Sequence, residues 1–565
     1  MKILDFTLYA HKNGAGHFPL TAHIFPFCSI FSDIQRIISQ ETEGKTRMKR
    51  QSVLRGSVWL IGSALLAKIL GAVFRLPLTA MLGGTGMGYF SCAYGLFLPV
   101  FALSVTGINT AVSALTAQAL AKNDPQTASR TASLAMRMFG LGGILFSLLL
   151  FLTAEPFCTL LLHNPRAALS VRCFAPAVWF CCVNAVLRGI CEGHSTMQPT
   201  AVSHVAEGIG RAVCGLGLCG FVCRHPAMLP QGMLLPEAAA AAAILGVTLS
   251  TAIGTLTLLL FPPPRRSAPK LPPAHRRKDD RMLRQALLRT LLPVAAASLV
   301  TNLTTLIDLA SAMRLLPQKA DAANFLYGAY TGMAVTVFNL VPSVTNMFGK
   351  GVFPAFAESY ARSCTAETGQ LAETVIRRTA FFAVPAGLGM TALAAPLLTV
   401  LFPARPAETA AAAPALAVLG IAVIFSALCY PLFCMLQASG HADDTVRIML
   451  AGAAVKLAGN LLLIPCLGLR GIAASTLLCY AVILLLAVRR FRLRTGIRLR
   501  LLRLCGRSLF AGVLCAGTAY LLCPVLRCRL PLRIAPLAAA TAGAAVYFAG
   551  YLTVRGKRDY SSRCD

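Results

Sequence analysis

About fourteen apolar stretches, each long enough to cross a bilayer core about 30 Å thick as a helix of roughly 20 residues, recur along this chain. Lys and Arg crowd into a few of the connections between them. The stretches lie near 57–80, 89–118, 132–154, 168–189, 199–223, 238–261, 286–314, 325–349, 377–401, 413–437, 446–466, 470–488, 504–523 and 534–554. Backbone polar groups in hydrocarbon must be satisfied within the segment, so each stretch is expected to be a helix. Hydrophobic residues make up 56% of the chain, with a mean hydropathy of +0.68, so these stretches are not the cores of soluble domains. The expected fold is an all-α polytopic membrane protein of two six-helix sets followed by two further helices.

The longest connection, around Pro262–Arg284, is too short to fold as a catalytic domain. The formal net charge of +31 would suggest nucleic acid in a soluble protein. Here the basic residues flank apolar spans, where they set topology by staying on the cytoplasmic side. Arg265, Arg266, Lys270, Arg276, Arg277, Lys278, Arg281 and Arg284 fill the connection after the sixth span. Arg489, Arg490, Arg492, Arg494, Arg498, Arg500, Arg503 and Arg507 fill that after the twelfth. With an even span count these fall on the same side as the basic ends, which predicts two cytoplasmic termini and no nucleic-acid partner.

This divides the chain into an extension at 1–47, a six-helix lobe at 48–262, a basic linker at 263–284, a second lobe at 285–490, and two extra helices with a basic tail at 491–565. Met48 opens a basic flank before the first span, so translation is expected to begin there, with 1–47 absent or disordered. The second span (from Tyr89) and the eighth (from Phe325) both pass an Ala-Tyr step, a mid-span proline (Pro99, Pro342) and an Asn/Thr patch (Asn109-Thr110, Thr345-Asn346). Six spans per set preserve orientation, so the sets would be parallel repeats with a substrate site at their interface.

The twenty cysteines are scattered through spans, with no CxxC pair and no Cys/His cluster at zinc spacing. No metal or cofactor is therefore expected. Gly215-x-Gly217-x-x-Gly220 matches a dinucleotide motif in letters only, since it lies within a span with no preceding strand. No HExxH, GxSxG or Walker sequence is present, so any transport draws on a gradient, the membrane potential or the substrate's own downhill step.

Function is then sought among polar groups at membrane depth, which are costly and face a bundle interior. Lys68 and Arg75 in the first span are seven residues apart and share a face. Glu207 and Arg211 in the fifth are an i,i+4 pair in the favourable order, which reads equally as a structural ion pair. Asp308 is the carboxylate deep in the seventh span. Unpaired, it would suit ion coupling; its alternative is a packing residue hydrogen-bonded to Asn302 or Thr305. Lys456 and Asn460 share a face of the eleventh span.

Several of these residues lie in segments that resemble a known family. Ala67-Lys68-Ile69-Leu70-Gly71 with Phe74-Arg75, the turn Leu82-Gly83 with Gly86-Met87-Gly88, the segment Gly189–Arg211, the run Tyr327–Glu358 and the run Met435–Pro465 all match its patterns. The chain resembles the polysaccharide-transporter and stage V sporulation protein B-like branch of the multidrug/oligosaccharidyl-lipid/polysaccharide exporter superfamily, related to lipid II flippases. The resemblance runs from about Arg55 to Arg490. It implies a MATE-like fold in a bacterial cell membrane. The implied activity is alternating-access flipping of an undecaprenyl-diphosphate-linked saccharide, including the peptidoglycan precursor lipid II, in cell-wall or spore-cortex synthesis.

On this resemblance the cationic substrate site falls to Lys68, Arg75 and Arg211, with Asn109. Glu207, Asp308, Lys456 and Asn460 are ion-coupling or structural. The implied partners are the lipid-linked saccharide, membrane lipids, H+ or Na+ and cell-wall synthases. The second span departs from the lipid II flippases, holding Asn109, Thr110 and Gln118 where they carry an arginine. Two alternatives remain: a cation-coupled drug exporter centred on Asp308 and Glu207, and a membrane scaffold without transport.

Overall fold

The described residues are predominantly helical and include no strand, as hydrocarbon demands of spanning segments. The computed structural model describes residues 70–561 apart from 72–73, 97, 100–101, 103–106, 161, 261–272, 317–319, 364 and 532–533. The expectations for 1–47, Met48 and Lys68 lie outside the described residues. The helices are α1 (74–96), α2 (Asn109–Ala121), α3 (Pro125–Leu160), α4 (Ala168–Gly193), α5 (Gln198–Arg224), α6 (Leu235–Leu260) and α7 (Pro273–Leu315). Then follow α8 (Ala320–Ala329), α9 (Val335–Ala361), α10 (Thr365–Ala392), α11 (Ala394–Leu401), α12 (Pro406–Ala438), α13 (Ala442–Leu467), α14 (Leu469–Thr495), α15 (Leu501–Arg527) and α16 (Ile534–Ser561).

Among the described residues nine helices are long and apolar enough to cross a membrane. A tenth span results if α10 and α11, bent by 86° at their junction, are taken together. The basic connection before the seventh span is partly helical, because α7 begins at Pro273 and carries the span's helix backward through Arg284.

Local chemistry sets several boundaries. Asp124 caps α3, accepting from Thr127 N at 3.0 Å and Thr127 Oγ1 at 2.6 Å. Gly496 ends α14 in the left-handed region at φ 73°, its N–H donating to Arg492 O. Gly83, at φ 64°, turns the chain within α1, between the first two spans.

Burial separates lipid-facing from core helices. The apolar window of α3 is only 11% buried, with Leu141, Leu145, Leu152 and Leu160 exposed, whereas that of α4 is 78% buried. Such a band of exposed leucines fits lipid and not water.

The contacts within residues 70–260 and within 273–495 follow one pattern. In the first set α4 is the hub, packed by α2, α3 and α6, with α5 against α6. In the second α12 is the hub, packed by α9, α10 and α14, with α13 against α14. The last two helices pack on each other, and α15 lies against α10. Tyr547 of α16 donates to Phe381 O at 2.8 Å, and Tyr551 and Phe548 surround the Phe381 ring.

The two sets share a core at one end of the bundle, where Phe74, Leu78, Tyr89 and Phe174 join Tyr327, Tyr330, Leu416 and Ile472. Close approach there depends on small residues. A Cβ on Gly328 would run into the Gly84 carbonyl, and one on Gly84 would come within 2.6 Å of the Phe325 ring. Arg405 clasps the end of the first span, its Nε donating to Ala80 O at 2.9 Å and its Nη2 to Met81 O at 3.0 Å. Gly84 N donates to Glu408 Oε1 at 3.2 Å, and Asn164 Nδ2 donates to Asn324 Oδ1 at 2.7 Å. The glycines of Gly215-x-Gly217-x-x-Gly220 lie within α5, where the Gly215 backbone comes close to α6 because Gly246 has no side chain, and a Cβ on Gly215 would meet the Phe74 ring.

Candidate functional site: buried charges in two helical sets

A guanidinium deep in the first set organises its interior. Arg188, three turns past Pro176 on α4, has a side chain only 2% exposed. Its Nη2 donates to Glu207 Oε2 at 3.0 Å and to Ser203 Oγ at 2.9 Å, both on α5. Ser203 Oγ in turn donates to Gly254 O of α6 at 3.1 Å, and Asn184 Nδ2 donates to Thr251 O at 3.1 Å. The second carboxylate oxygen, Glu207 Oε1, accepts from Arg211 Nη2 at 2.9 Å. One carboxylate therefore holds two guanidiniums, and positive charge is left over. Arg211 is 23% exposed against 2% for Arg188, so it is the more accessible of the two guanidiniums.

Arg75 stands on the seam between the sets. Its Nη2 donates to Thr331 O at 3.2 Å, and its guanidinium lies 6.0 Å from the centroid of the Tyr94 ring. No carboxylate lies within ion-pair distance of it among the described residues. Tyr94 is within electrostatic reach of both Arg75 and Arg211. The carbonyl that receives Arg75 belongs to a π-helical turn, Tyr330–Ala334, between α8 and α9. Gly332 O of this turn accepts from Thr79 Oγ1 at 3.2 Å, and Thr331 Oγ1 shares a 2.7 Å hydrogen bond with Ser91. A π turn widens the helix and redirects its carbonyls. The Nε of Arg75, Arg188 and Arg211 each lacks a hydrogen-bond acceptor among the described residues.

The second set balances its charges. Asp308 Oδ1 on α7 is 2.9 Å from Lys456 Nζ and accepts from Asn460 Nδ2 at 2.9 Å. Lys456 Nζ also donates to Ile472 O at 3.3 Å and to Thr476 Oγ1 on α14. Asn460 Oδ1 accepts from Ser475 Oγ. Lys456 is 2% exposed and Asp308 is 17% exposed.

The structure thus brings Glu207 with Arg211, and Asp308 with Lys456 and Asn460. The Asp308 expectation changes accordingly: its carboxylate is not unpaired but joined to a lysine from another helix. Asn109 on α2 lies apart from Arg75's hydrogen bonds, its Nδ2 donating to Glu192 Oε1 of α4 at 3.2 Å. Lys68 lies outside the described residues. Arg188, Tyr94, Tyr327 and Thr331 were not anticipated. Arg188 sits at the expected end of the fourth span, where an arginine reads as an interface anchor, but α4 continues to Gly193 and encloses it. No group of three or more His, Cys, Asp or Glu side chains is placed to hold a metal among the described residues.

Residues 53–360, more than half of the chain, match the family model for polysaccharide biosynthesis proteins. The chain belongs to that family. The chain is 25% identical over 319 residues to stage V sporulation protein B of Bacillus subtilis (strain 168), covering 55% of this chain and 59% of that relative. It is 27% identical over 169 residues to the lipid II flippase MurJ of the same organism, covering 28% of this chain and 31% of that protein. The matches thus span less than two thirds of either relative's length. Its fold resembles that of the lipid II flippase MurJ in an inward closed conformation, with a TM-score of 0.65 at 13% identity over 90% of this chain and 99% of that one.

Proposed function

We infer that this family member flips an anionic, lipid-linked saccharide across the bacterial cell membrane by alternating access. Its substrate class is the undecaprenyl-diphosphate saccharides, lipid II among them, in cell-wall or spore-cortex synthesis. The observation that carries this reading is the surplus of buried positive charge in the first set: two guanidiniums on Glu207, and Arg75 with no carboxylate. Even with Glu192 counted, cations exceed carboxylates there. Guanidiniums recognise phosphate oxygens through paired, charge-assisted hydrogen bonds, which strengthen where water is excluded. Arg75 and Arg211 are the contacts that would touch the diphosphate, with Lys68 joining them from the same helix face as Arg75. Arg188 holds Glu207 and thereby aims Arg211.

The cation-exporter alternative needs a free carboxylate, and both Glu207 and Asp308 are engaged by cations. The shared contact pattern of the two sets supports two six-helix repeats that rock about the seam. With both termini cytoplasmic, the end clasped by Arg405 faces outward, and substrate loads from the inner leaflet.

The test is flipping of a fluorescent undecaprenyl-diphosphate saccharide in proteoliposomes. Loss of one charge-assisted hydrogen bond costs about 1.5–3 kcal/mol, so Arg75→Ala and Arg211→Ala should each slow flipping roughly 10- to 100-fold. Wild-type rates in both variants would refute the anionic site.

A further inference from the structure

The Lys456 ammonium has the surroundings of a bound metal cation. An ammonium carries three donors and no acceptor. Each of the three finds an oxygen: Asp308 Oδ1 at 2.9 Å, Ile472 O at 3.3 Å, and Thr476 Oγ1. These come from two helices, α7 and α14, facing the α13 lysine, and comprise a carboxylate, a backbone carbonyl and a hydroxyl, the hard oxygen set that alkali and alkaline-earth ions take. The carboxylate is fixed in turn, since Asn460 donates its amide N–H to Asp308 and accepts from Ser475 through its oxygen. Thr476 also donates its hydroxyl to Ile472 O, which holds that carbonyl in place. The lysine stem is enclosed, so its compact charge is delivered into the cage and not to solvent.

We propose that the second set carries a monovalent-cation site filled by the chain's own Lys456 side chain, making Lys456 the residue that fixes this protein's independence from Na+ and K+ at that position. The tethered ammonium satisfies Asp308 in every state of the protein that keeps the cage closed. A free ion cannot enter while the ammonium occupies the position it would take among these oxygens. Shortening the side chain removes the charge and leaves the oxygens: Lys456→Ser opens the cage to an inorganic monovalent cation, for which Na+ is the probe. The inference concerns ion binding and does not rest on the identity of the transported lipid, so its test is separate from the flipping assay.

The experiment uses the full chain in nanodiscs, with 22Na+ binding and thermal unfolding compared in sodium, potassium and choline chloride at equal ionic strength. Wild type should show no saturable 22Na+ binding and one Tm in all three salts. Lys456→Ser should gain saturable 22Na+ binding and a Tm that rises with Na+ over choline, as binding to the folded state requires. Adding Asp308→Asn to that variant should abolish both gains. Saturable Na+ or K+ binding by wild type that disappears in Asp308→Asn would overturn the proposal. So would a folded Lys456→Ser that binds no Na+. If Lys456→Ser is folded only when purified in Na+, the proposal stands. If it is unfolded in every salt, Lys456→Ala takes its place under the same criteria, while the wild-type measurement decides by itself.

Discussion

The first and fifth spans of each set carry buried charges, joined in the first set by Arg188 of α4, and the two sets use them in opposite ways. In the second set Asp308 and Lys456 meet directly and neutralise each other at 2.9 Å. In the first set the corresponding helices carry Arg75 and Arg211, both cationic and both within electrostatic reach of Tyr94, and Glu207 is already shared with Arg188. Equivalent helix contacts therefore support unlike electrostatics. One side is a closed pair, and the other keeps positive charge for something else to meet. Tyr327, in the core shared by the two sets, is within electrostatic reach of both Arg75 and Asp308.

Removing one carboxylate from each side should break the symmetry most visibly. Glu207→Gln strands two buried guanidiniums, and Asp308→Asn strands one ammonium that keeps two other oxygens. Leaving a buried charge unpaired costs 3–5 kcal/mol as a rule, so Glu207→Gln should lose about 5 kcal/mol and Asp308→Asn about 3 kcal/mol. Paired unfolding measurements in one detergent check the order, and equal losses would erase the distinction. A smaller effect should come from the seam that holds the two sets face to face. Gly328→Ala forces a methyl group toward the Gly84 carbonyl, and such overpacking costs about 1–3 kcal/mol. Crosslinking between cysteines placed across the seam should fall in that variant; an unchanged yield would mean the contact yields without opening.

The smallest effect should come from a residue outside both clusters. Asp124→Ala removes the α3 cap, at a cost of about 1 kcal/mol. The Thr127 hydroxyl and backbone N–H hold the Asp124 carboxyl below its usual range. Because that value is lowered on folding, the cap contributes fully above the unfolded value, and its contribution fades as pH falls through the folded one. The difference between wild type and Asp124→Ala should therefore shrink in acid, and a difference independent of pH would show that the cap does not act through its charge.

What the sequence alone determined were properties that depend on neighbours along the chain. Apolar length specified the helices, because hydrocarbon leaves no other way to satisfy a backbone. Charges stranded within apolar runs marked Arg75, Glu207, Arg211, Asp308 and Lys456 as residues that need partners, and the Glu207–Arg211 pair was legible because its spacing is one helical turn. Which partner each charge takes was decided by tertiary structure. Asp308 meets Asn460 across 152 positions, and Arg75 reaches Thr331 across 256, through helix crossings that no local periodicity encodes. Arg188 was hidden for the same reason. A guanidinium near a helix end is an anchor or a buried strut according to whether another helix covers it, and α5 covers this one with Ser203 and Glu207.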